Sequence, residues 1–406
     1  MTPVADSTAP AHVSHGFTAP GFEGVAKAFA EGQSADEGGA QLCVYKDGKP
    51  VVDVWTGRDK LNDRPYTDET ITVLMSCTKG CLAACALILS ERGLLDFDAR
   101  VADYWPEFAH GGKGDITVRQ IMSHSAGLMG FDPEMGMGPR ELYDWDRSVA
   151  SMEAMTPLWP AGSAYAYHFV TFGLLIGEVI RRITGKTVGR FFAEEVAAPL
   201  GLEIWIGLPE ALEPRLAPHF QTAPAMTPEQ WRGLFEKGGV DIDSRLMRTI
   251  LHTFATTGDC IAMIAENRHM RAVELPAGNG IGNARSLAKM YAALIGDVDG
   301  VRLIRADTME AGRAEQTVGI SAPAELAAIT AMGGRLGYGL GFELAAQSKP
   351  MLGPGSFGHS GAGGRLAYAY PERGVAVAYV CNAMVNSMGA DPRWIGWTKA
   401  LREALG

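Results

Sequence analysis

The sequence lacks an apolar run long enough to cross a lipid bilayer. The longest such run, residues 81–89, falls far short of the roughly 20 residues that a spanning helix needs. The first residues, MTPVADSTAPAHVSHGF, have neither the basic start nor the apolar core of a secretion signal. We therefore expect no membrane partner and a cytoplasmic location.

Basic runs are also missing. Lysine and arginine number 36 against 46 aspartates and glutamates, which gives a formal net charge of -10. The isoelectric point is near 5.5, and no lysine- or arginine-rich segment offsets this acidity. The balance disfavours a nucleic-acid or anionic-membrane partner. A small-molecule substrate is the expected partner, and the sequence gives no indication of oligomeric state.

Several motifs that mark other enzyme classes are absent. The sequence has no Gly-x-Ser-x-Gly elbow, no His-Glu-x-x-His zinc motif, no phosphate-binding loop and no convincing dinucleotide fingerprint. The six cysteines lack paired zinc-type spacing, and Cys77, Cys81 and Cys85 recur on one predicted helical face. We interpret them as buried thiols, and we expect neither a metal nor a cofactor.

The pattern of the chain predicts strands at both ends. The segment QLCVYKDGKPVVDVWTG (41–57) predicts a hairpin that turns at Asp47-Gly48. Residues 76–92 predict a helix that is apolar on nearly every side and ends at Gly93. From residue 333 onward, RLGYGLGFEL, SFGHSGAGGRLAYAY and GVAVAYVCN predict consecutive antiparallel strands, and WIGWTKALREAL predicts a closing helix.

The intervening region, residues 97–330, carries mainly helical signals, such as FGLLIGEVIRRITG. The predicted fold class is therefore α+β (α/β), with an antiparallel sheet built from both chain ends, flanking helices and an inserted, mainly helical region. The predicted domains are an N-terminal tail (1–20), a sheet domain (21–96 and 331–406) and a helical domain (97–330) that forms the other wall of a cleft. Ligands usually bind in such clefts.

The segment SCTKG (76–80) places Lys79 three residues after Ser76, at the start of the apolar helix. Residues three apart are neighbours on a helix surface, so the two side chains can touch. Apolar surroundings disfavour a charged lysine, which can then act as a neutral base towards the serine hydroxyl. The helix N-terminus also favours negative charge there. Ser76 is thus a candidate nucleophile.

The spacing alone does not decide this assignment, because Ser-x-x-Lys occurs a second time. Ser286 and Lys289 have the same spacing, yet they follow the polar stretch GNGIGNAR and open an ordinary amphipathic helix. We interpret Ser286 as a helix N-cap. Context separates Ser76, since it follows an apolar run and opens a helix too apolar for the surface.

Three further segments follow Ser76 in order: ITVRQIMSHSAGL (116–128), WPAGSAYAYHFVTFG (159–173) and GHSGAGG (358–364). With SCTKG, this pattern resembles the serine hydrolases of the class C β-lactamase and penicillin-binding-protein superfamily, and most closely the family VIII carboxylesterases. The resemblance covers roughly residues 20–400. It implies a β-lactamase-like fold, with the acylated serine at Ser76 and the family's lysine at Lys79.

The resemblance also implies a catalytic tyrosine. The family's tyrosine follows a Pro-Gly pair at a fixed interval and precedes a glycine by six residues; both counts select Tyr167, and Tyr165 is the alternative. A neighbouring lysine cation would lower the pKa of this tyrosine, so it could shuttle protons between Ser76, the leaving group and water. By the same resemblance, the backbone N–H groups of Ser76 and Ala362 form the oxyanion hole.

The third motif departs from the lactamases, which carry Lys-Thr-Gly where this chain has His359-Ser360-Gly361. Their permanent cation is replaced by an imidazole, and their Tyr-x-Asn reads Tyr167-His168-Phe169. Both changes favour an uncharged ester over a carboxylated lactam. The expected substrate-binding residues are His359, Ser360, Gly361, Trp159 and His168, whereas His124 is expected to brace a turn.

The predicted function is hydrolysis of carboxylic esters, with short acyl chains, through a Ser76 acyl-enzyme and a Lys79/Tyr167 acid–base pair. Three alternatives stay open: an acyltransferase of the same superfamily, a β-lactamase or peptidase side activity, and a catalytically silent binding module. An acceptor-dependent product would identify the first alternative, and failure to form any covalent adduct would identify the last.

Overall fold

We describe the protein from a computed structural model in which residues 13–224, 226–326, 334–385 and 390–406 are placed. The strands in chain order are β1 His15–Thr18, β2 Gly39–Lys46, β3 Lys49–Asp59, β4 Arg64–Pro65, β5 Thr72–Val73, β6 Ile204–Ile206, β7 Phe220–Gln221, β8 Gly280–Gly282, β9 Glu343–Leu344, β10 Phe357–Gly361, β11 Arg365–Tyr370, β12 Val375–Cys381 and β13 Ala383–Met384. The α-helices are α1 Glu23–Gly32, α2 Thr78–Glu91, α3 Val101–Tyr104, α4 Val118–Met122, α5 Trp145–Ala154, α6 Thr171–Thr184, α7 Val188–Phe192, α8 Ala198–Leu200, α9 Pro228–Lys237, α10 Arg245–Glu266, α11 Arg268–Ala272, α12 Ala284–Ile295, α13 Ala306–Arg313 and α14 Pro392–Leu405.

The predicted hairpin forms β2 and β3, which pair antiparallel up to Lys46 and Lys49. Asp47 and Gly48 have φ of 49° and 76°, the left-handed pair that a two-residue hairpin turn requires. Aspartate and glycine tolerate this conformation better than most residues. The Asp-Gly signal therefore predicts both the hairpin and its position.

The main sheet draws strands from both ends of the chain. Its order is β1-β3-β2-β12-β11-β10-β9, with β4 beside β3, and the pairs are antiparallel. N-terminal β2 lies beside C-terminal β12, with Val44 opposite Val377. This arrangement confirms the predicted α+β fold class. Strand β1 lies within the predicted tail of residues 1–20, and residues 1–12 of that tail lie outside the described residues.

Strand β12 is buried on both faces because helices cover both sides of the sheet. Its residues alternate between two cores: Val377 and Tyr379 pack on one side with α1 and α14, whereas Ala376 and Ala378 pack on the other with α2 and α12. This alternation is the two-residue period of a strand. The small alanine side chains leave room for the helices on that face, and one of these helices carries the site.

Helix α2 is the central helix that the sequence predicts. Its residues from Thr78 to Leu89 are all buried, and Gly93, just beyond its C-terminal end, has φ of 69°. All six cysteines of the chain are buried free thiols, as predicted. Burial of each large aliphatic side chain contributes about 1.5–3 kcal/mol, so an all-round apolar helix is strongly held in place.

Helix α12 packs on the sheet, although residues 284–295 fall within the predicted helical domain. The domain boundaries stay a prediction. Its N-cap is Asn283, whose side chain accepts a hydrogen bond from the N–H of Ser286. The prediction that Ser286 is the cap is wrong, because Asn283 takes that place three residues earlier.

Among the described residues, no helix is both long and apolar enough to cross a membrane.

Candidate active site

A strained turn presents Ser76 at the N-terminal end of α2. Residues Met75–Cys77 form a short 3-10 turn, and Met75 has φ of 50°, which is unusual for a residue with a long side chain. Strand β10 passes directly against this turn: a Cβ atom on Gly361 would lie 2.6 Å from the carbonyl oxygen of Leu74. This close approach brings Ser76 and Ala362 to one cavity.

The side chain of Lys79 reaches Ser76 one turn away. Its Nζ donates to Ser76 Oγ at 3.4 Å and to the carbonyl oxygen of Ala277 at 2.9 Å. Only 1% of Lys79 is exposed. Burial lowers the pKa of Lys79 to about 7, although the charges of Glu343 and Cys77 act in the opposite direction. At neutral pH a large fraction of this lysine is therefore an uncharged base beside a hydroxyl.

The ring of Tyr167 faces the amino group of Lys79. The Lys79 Nζ is 4.7 Å from the centre of the Tyr167 ring, and the phenol oxygen has no partner with hydrogen-bond geometry among the described residues. Burial raises the pKa of Tyr167 well above its usual value, and the charge of Glu343 adds to this, while the nearby Ser76 hydroxyl acts in the opposite direction. The prediction that Lys79 lowers this pKa is wrong, because desolvation is the larger effect.

The structure brings Tyr167, rather than Tyr165, to the serine and the lysine. Tyr167 lines the cavity that holds Ser76. Tyr165 lines a neighbouring cavity, and its ring meets Tyr338 edge-to-face at 5.9 Å. Tyr167 also lines that second cavity, so of the two tyrosines only Tyr167 borders both.

Two buried histidines hold the segment that carries Tyr167. His124 has φ of 61°, and its Nδ1 accepts the N–H of His168 at 3.1 Å. His168 Nε2 accepts the N–H of Leu128 at 3.1 Å, and its Nδ1 lies 2.7 Å from the carbonyl oxygen of Ala166. Burial lowers the pKa of His168 to about 4, so it is neutral. The expectation that His168 contacts substrate is wrong, because the residue is 0% exposed and both ring nitrogens bind backbone.

Three other predicted substrate-binding residues lie outside the set that lines the cavity. Trp159 is buried and donates its indole N–H to the carbonyl oxygen of Ala164 at 2.9 Å. Gly361 is buried against Leu74. His359 is buried with Nδ1 2.6 Å from the carbonyl oxygen of Ser360, and burial lowers its pKa to about 4. These three residues therefore lie behind the cavity wall and do not line the cavity itself.

The cavity has a volume of about 380 Å³, which suits a small ligand. Ser360 lines it, as the sequence predicts, and so do Ser76 and Ala362, whose N–H groups are the predicted oxyanion donors. Much of the remaining wall is apolar and comes from the later part of α10 and the segments beside it, through Val170, Thr257, Cys260, Ile261, Ile264 and Leu275.

The cavity wall contains an ion pair that the sequence patterns do not predict. Lys349 Nζ lies 3.0 Å from Glu343 Oε1 and donates to Ser360 Oγ at 2.5 Å, and Glu343 Oε2 accepts the N–H of Ser360 at 2.9 Å. Burial acts to raise the pKa of Glu343, but Lys349, His359 and the hydrogen bonds from Ser360 outweigh it and lower the pKa to about 2. The cleft therefore contains a lysine side chain, although the His-Ser-Gly motif lacks the lysine that the lactamases carry at that position.

One signal in the sequence points to half of this pair: Glu343 is a carboxylate inside the apolar strand pattern RLGYGLGFEL, and buried acids are almost always paired. Nothing comparable marks Lys349. Within the described part of the chain, no group of three or more His, Cys, Asp or Glu residues is arranged to hold a metal ion.

The chain is similar to known proteins over most of its length. The family model named Beta-lactamase matches residues 25–401. The chain is 32% identical to the "Esterase/beta-lactamase LipL" of Mycobacterium tuberculosis (strain ATCC 25618 / H37Rv) over 384 residues, which cover 91% of this chain and 83% of that protein.

Solved structures give the same result. The crystal structure of a family VIII carboxylesterase superposes with a TM-score of 0.81 at 34% identity, covering 96% of this chain and 99% of that one. EstA from Arthrobacter nitroguajacolicus Rue61a gives 0.80 at 30% identity, covering 96% and 98%. These matches confirm the predicted resemblance. The chain belongs to the Beta-lactamase family and is a hydrolase of the carboxylesterase type.

Proposed function

We propose that the protein hydrolyses carboxylic esters through an acyl-enzyme formed on Ser76. One observation carries the proposal: a buried lysine, with a pKa lowered to about 7, hydrogen-bonds the hydroxyl of a serine that lines an apolar cavity. A nucleophile within reach of a neutral base is the arrangement that covalent acyl transfer needs. The relative LipL, named an esterase, supports the same choice of substrate.

In the acylation step, neutral Lys79 accepts the proton of Ser76 Oγ while that oxygen attacks the ester carbonyl carbon. The carbonyl oxygen gains the negative charge and is held by the N–H groups of Ser76 and Ala362. Tyr167, which is protonated because its pKa is raised, donates its proton to the alcohol oxygen as the ester C–O bond breaks. Lys79 then returns its proton to Tyr167, and Ser76 remains acylated.

Deacylation reverses these roles. Water takes the place of the alcohol, the Lys79/Tyr167 pair accepts one of its protons, and the resulting hydroxide attacks the acyl carbon. The C–O bond to Ser76 breaks, and the pair returns a proton to Ser76 Oγ. Because Lys79 and Tyr167 are coupled, the two apparent pKa values belong to the pair.

The apolar wall from α10 suits the acyl chain. The short acyl chains that the sequence predicts fit within about 380 Å³, which also leaves room for part of the alcohol. Each additional buried methylene contributes about 0.8 kcal/mol of binding until the chain meets the wall. The rate should therefore rise with chain length and then fall.

A series of p-nitrophenyl esters with increasing acyl length tests this function, with release of the phenol measured beside the intact mass of the protein. We expect turnover, and an acyl adduct on the wild-type chain that Ser76→Ala lacks. Ser286→Ala is the matched control and should keep both. A folded wild-type protein that shows neither turnover nor an adduct would contradict the proposal.

A β-lactamase side activity is a second candidate. The ammonium of Lys349 lines the cavity and could bind the carboxylate of a β-lactam, and the relative LipL is named both an esterase and a β-lactamase. Hydrolysis of nitrocefin that is lost in Ser76→Ala supports this candidate, and an absence of hydrolysis excludes it.

A further inference from the structure

A second cavity adjoins the one that holds Ser76. It has a volume of about 240 Å³ and shares part of its wall with the first: Tyr167, Phe169, Leu336, Tyr338 and Lys349 line both. An ester bound at Ser76 therefore has two compartments for its two halves. The role of the second compartment rests on the proposed esterase function.

The leaving alcohol belongs in the second cavity. In the proposed reaction, Tyr167 protonates the alcohol oxygen, and Tyr167 stands at the boundary between the two cavities. The apolar end of the first cavity, lined by Cys260, Ile261 and Ile264, then receives the acyl chain. An alcohol that is released beside Tyr167 extends away from this end and into the second cavity.

The side chain of Lys349 lies at this boundary. Two of the three donors of its ammonium are used, by Glu343 Oε1 at 3.0 Å and Ser360 Oγ at 2.5 Å, and the third has no partner among the described residues. The side chain is 18% exposed. A lysine fixed by two hydrogen bonds has already lost much of its conformational freedom, so binding a further acceptor costs little additional entropy.

A second polar group faces the same compartment. Ser348, the neighbour of Lys349, lines the second cavity, and its hydroxyl oxygen is shielded from solvent without a hydrogen-bond partner in the described part of the chain. Buried hydroxyls normally have a hydrogen-bond partner, and a group bound in the second cavity can supply one to Ser348. Ser348 and Lys349 both line the second cavity and each has a donor for a ligand there.

Among the described residues that line the two cavities, no unpaired carboxylate opposes an anion at Lys349. Glu343 is the only acidic residue among the described residues that line them. Both of its oxygens are occupied, one by Lys349 and the other by the N–H of Ser360. The carboxylate is therefore compensated where it stands, and its repulsion of a second anion across the ammonium is reduced.

We propose that the preferred substrates are esters whose alcohol half carries a carboxylate, which Lys349 and Ser348 bind in the second cavity. This assignment replaces the expectation of a wholly uncharged ester, which rested on the loss of the motif lysine at His359. The cation comes instead from the connection between β9 and β10. Lys349 is thus a residue that determines specificity and stands apart from the acid–base pair.

A matched pair of substrates tests this assignment: 4-butyryloxybenzoate and its neutral near-isostere 4-butyryloxybenzamide. The ratio of their kcat/KM values is measured for the wild type and for Lys349→Met, so that the intrinsic reactivities of the two esters cancel. A hydrogen bond to a charged group corresponds to a factor of about 10–100. We expect the benzoate-to-benzamide ratio to fall by this factor in the variant, mainly through KM for the benzoate.

Two further variants keep the test decisive. Lys349→Met leaves Glu343 buried without its partner, which is destabilising. The double variant Glu343→Gln/Lys349→Met removes both charges and should show the same fall in the ratio. Lys27→Met, on the exposed face of α1, changes the net charge equally and should leave the ratio at its wild-type value.

Other outcomes overturn the proposal. A ratio that changes by less than twofold in both Lys349 variants would show that Lys349 serves only the structure of the wall. If Lys349→Met lowers kcat/KM for mono-p-nitrophenyl succinate but not for the benzoate, the anion binds on the acyl side of the ester. If the wild type hydrolyses p-nitrophenyl butyrate but neither benzoyl substrate, the specificity assignment fails while the proposed esterase function stands.

Discussion

The two Ser-x-x-Lys segments share a spacing and differ in everything around it. Ser76 precedes α2 in a strained turn and hydrogen-bonds the ammonium of Lys79. Ser286 lies inside the first turn of α12, and its hydroxyl accepts the N–H of Glu203 at 2.8 Å. Lys289 points instead to Asp299, whose carboxylate lies 2.8 Å away and is 76% exposed.

The difference shows that the surroundings of the ammonium decide the chemistry. Lys289 forms an ion pair with a solvent-exposed carboxylate, which directs its amino group to Asp299. Among the described residues the amino group of Lys79 hydrogen-bonds only a hydroxyl and a carbonyl oxygen and faces a tyrosine ring, and its salt-bridge partners include no carboxylate. Its charged form is poorly compensated, so it can release and accept a proton at neutral pH.

The largest expected effect compares the two serines. Removal of the nucleophile in Ser76→Ala should lower kcat for ester hydrolysis by about 10⁴-fold or more. Ser286→Ala should keep the wild-type rate and instead lose about 1 kcal/mol of unfolding free energy, because the N–H of Glu203 loses its acceptor. Steady-state kinetics and urea unfolding measure the two effects. Comparable losses of rate in both variants would contradict the comparison.

The second prediction exchanges each lysine for methionine. Lys79→Met should lower kcat/KM by about 10²–10⁴-fold, the usual contribution of a general base, and Lys289→Met should leave it near the wild-type value.

Stability should move the other way at Lys79. Its pKa falls from 10.5 when unfolded to about 7 when folded, so the folded state binds fewer protons, and stability is lost as the pH falls from 10.5 to 7. Lys79→Met escapes this penalty, on the order of a few kcal/mol, and should melt higher than the wild type at pH 7. A lower melting temperature would show that Lys79 is stabilised where it lies.

The third prediction separates the two tyrosines. Tyr167→Phe removes the proton donor of the leaving alcohol and should lower kcat by roughly 10²-fold or more. Tyr165→Phe removes a hydroxyl in the second cavity only, and kcat should stay close to that of the wild type. A good leaving group needs less protonation, so the loss in Tyr167→Phe should be smaller for p-nitrophenyl esters than for alkyl esters. An equal loss for both ester types would argue against the role of Tyr167 as the acid.

The smallest predicted effect is a shift of the pH profile. Lys79 acts as a base when neutral, so kcat/KM should rise with pH through its pKa of about 7. The negative charge of Glu343 raises that pKa; Glu343→Gln should therefore move the acidic limb of the profile to lower pH. Asp299→Asn, beside Lys289, is the control and should leave the limb in place. A limb that stays in place or moves to higher pH in Glu343→Gln would contradict the electrostatic account.

The elements that the sequence predicts well are those that local patterns determine. The Asp47-Gly48 turn and the apolar helix α2 carry their own signals, and the sheet from both chain ends follows from the order of the strand patterns. Ser76, Lys79 and Tyr167 meet in the structure because each lies beside a motif that positions it. The proton-transfer roles of these residues remain part of the proposal.

What the sequence does not reveal depends on side chains brought together from distant segments. Lys349 reaches Ser360 from a connection that has no motif. His168 and Trp159 stand next to motif residues, yet they turn into the core, because neighbours in an irregular segment take different directions. The pKa of Tyr167 rises because burial and the charge of Glu343 outweigh the effect of the Ser76 hydroxyl, a balance that depends on the whole cavity.

Labelling with a fluorophosphonate tests the central claim most directly, since this reagent reacts with activated serine hydroxyls. The labelled protein is digested, and the modified residue is located by mass spectrometry. The account predicts that Ser76 is labelled, that Ser286 is not, and that the labelling rate falls as the pH drops below about 7, where Lys79 becomes charged. Labelling of Ser286 to the same extent, or no labelling of Ser76 in the folded protein, would contradict it.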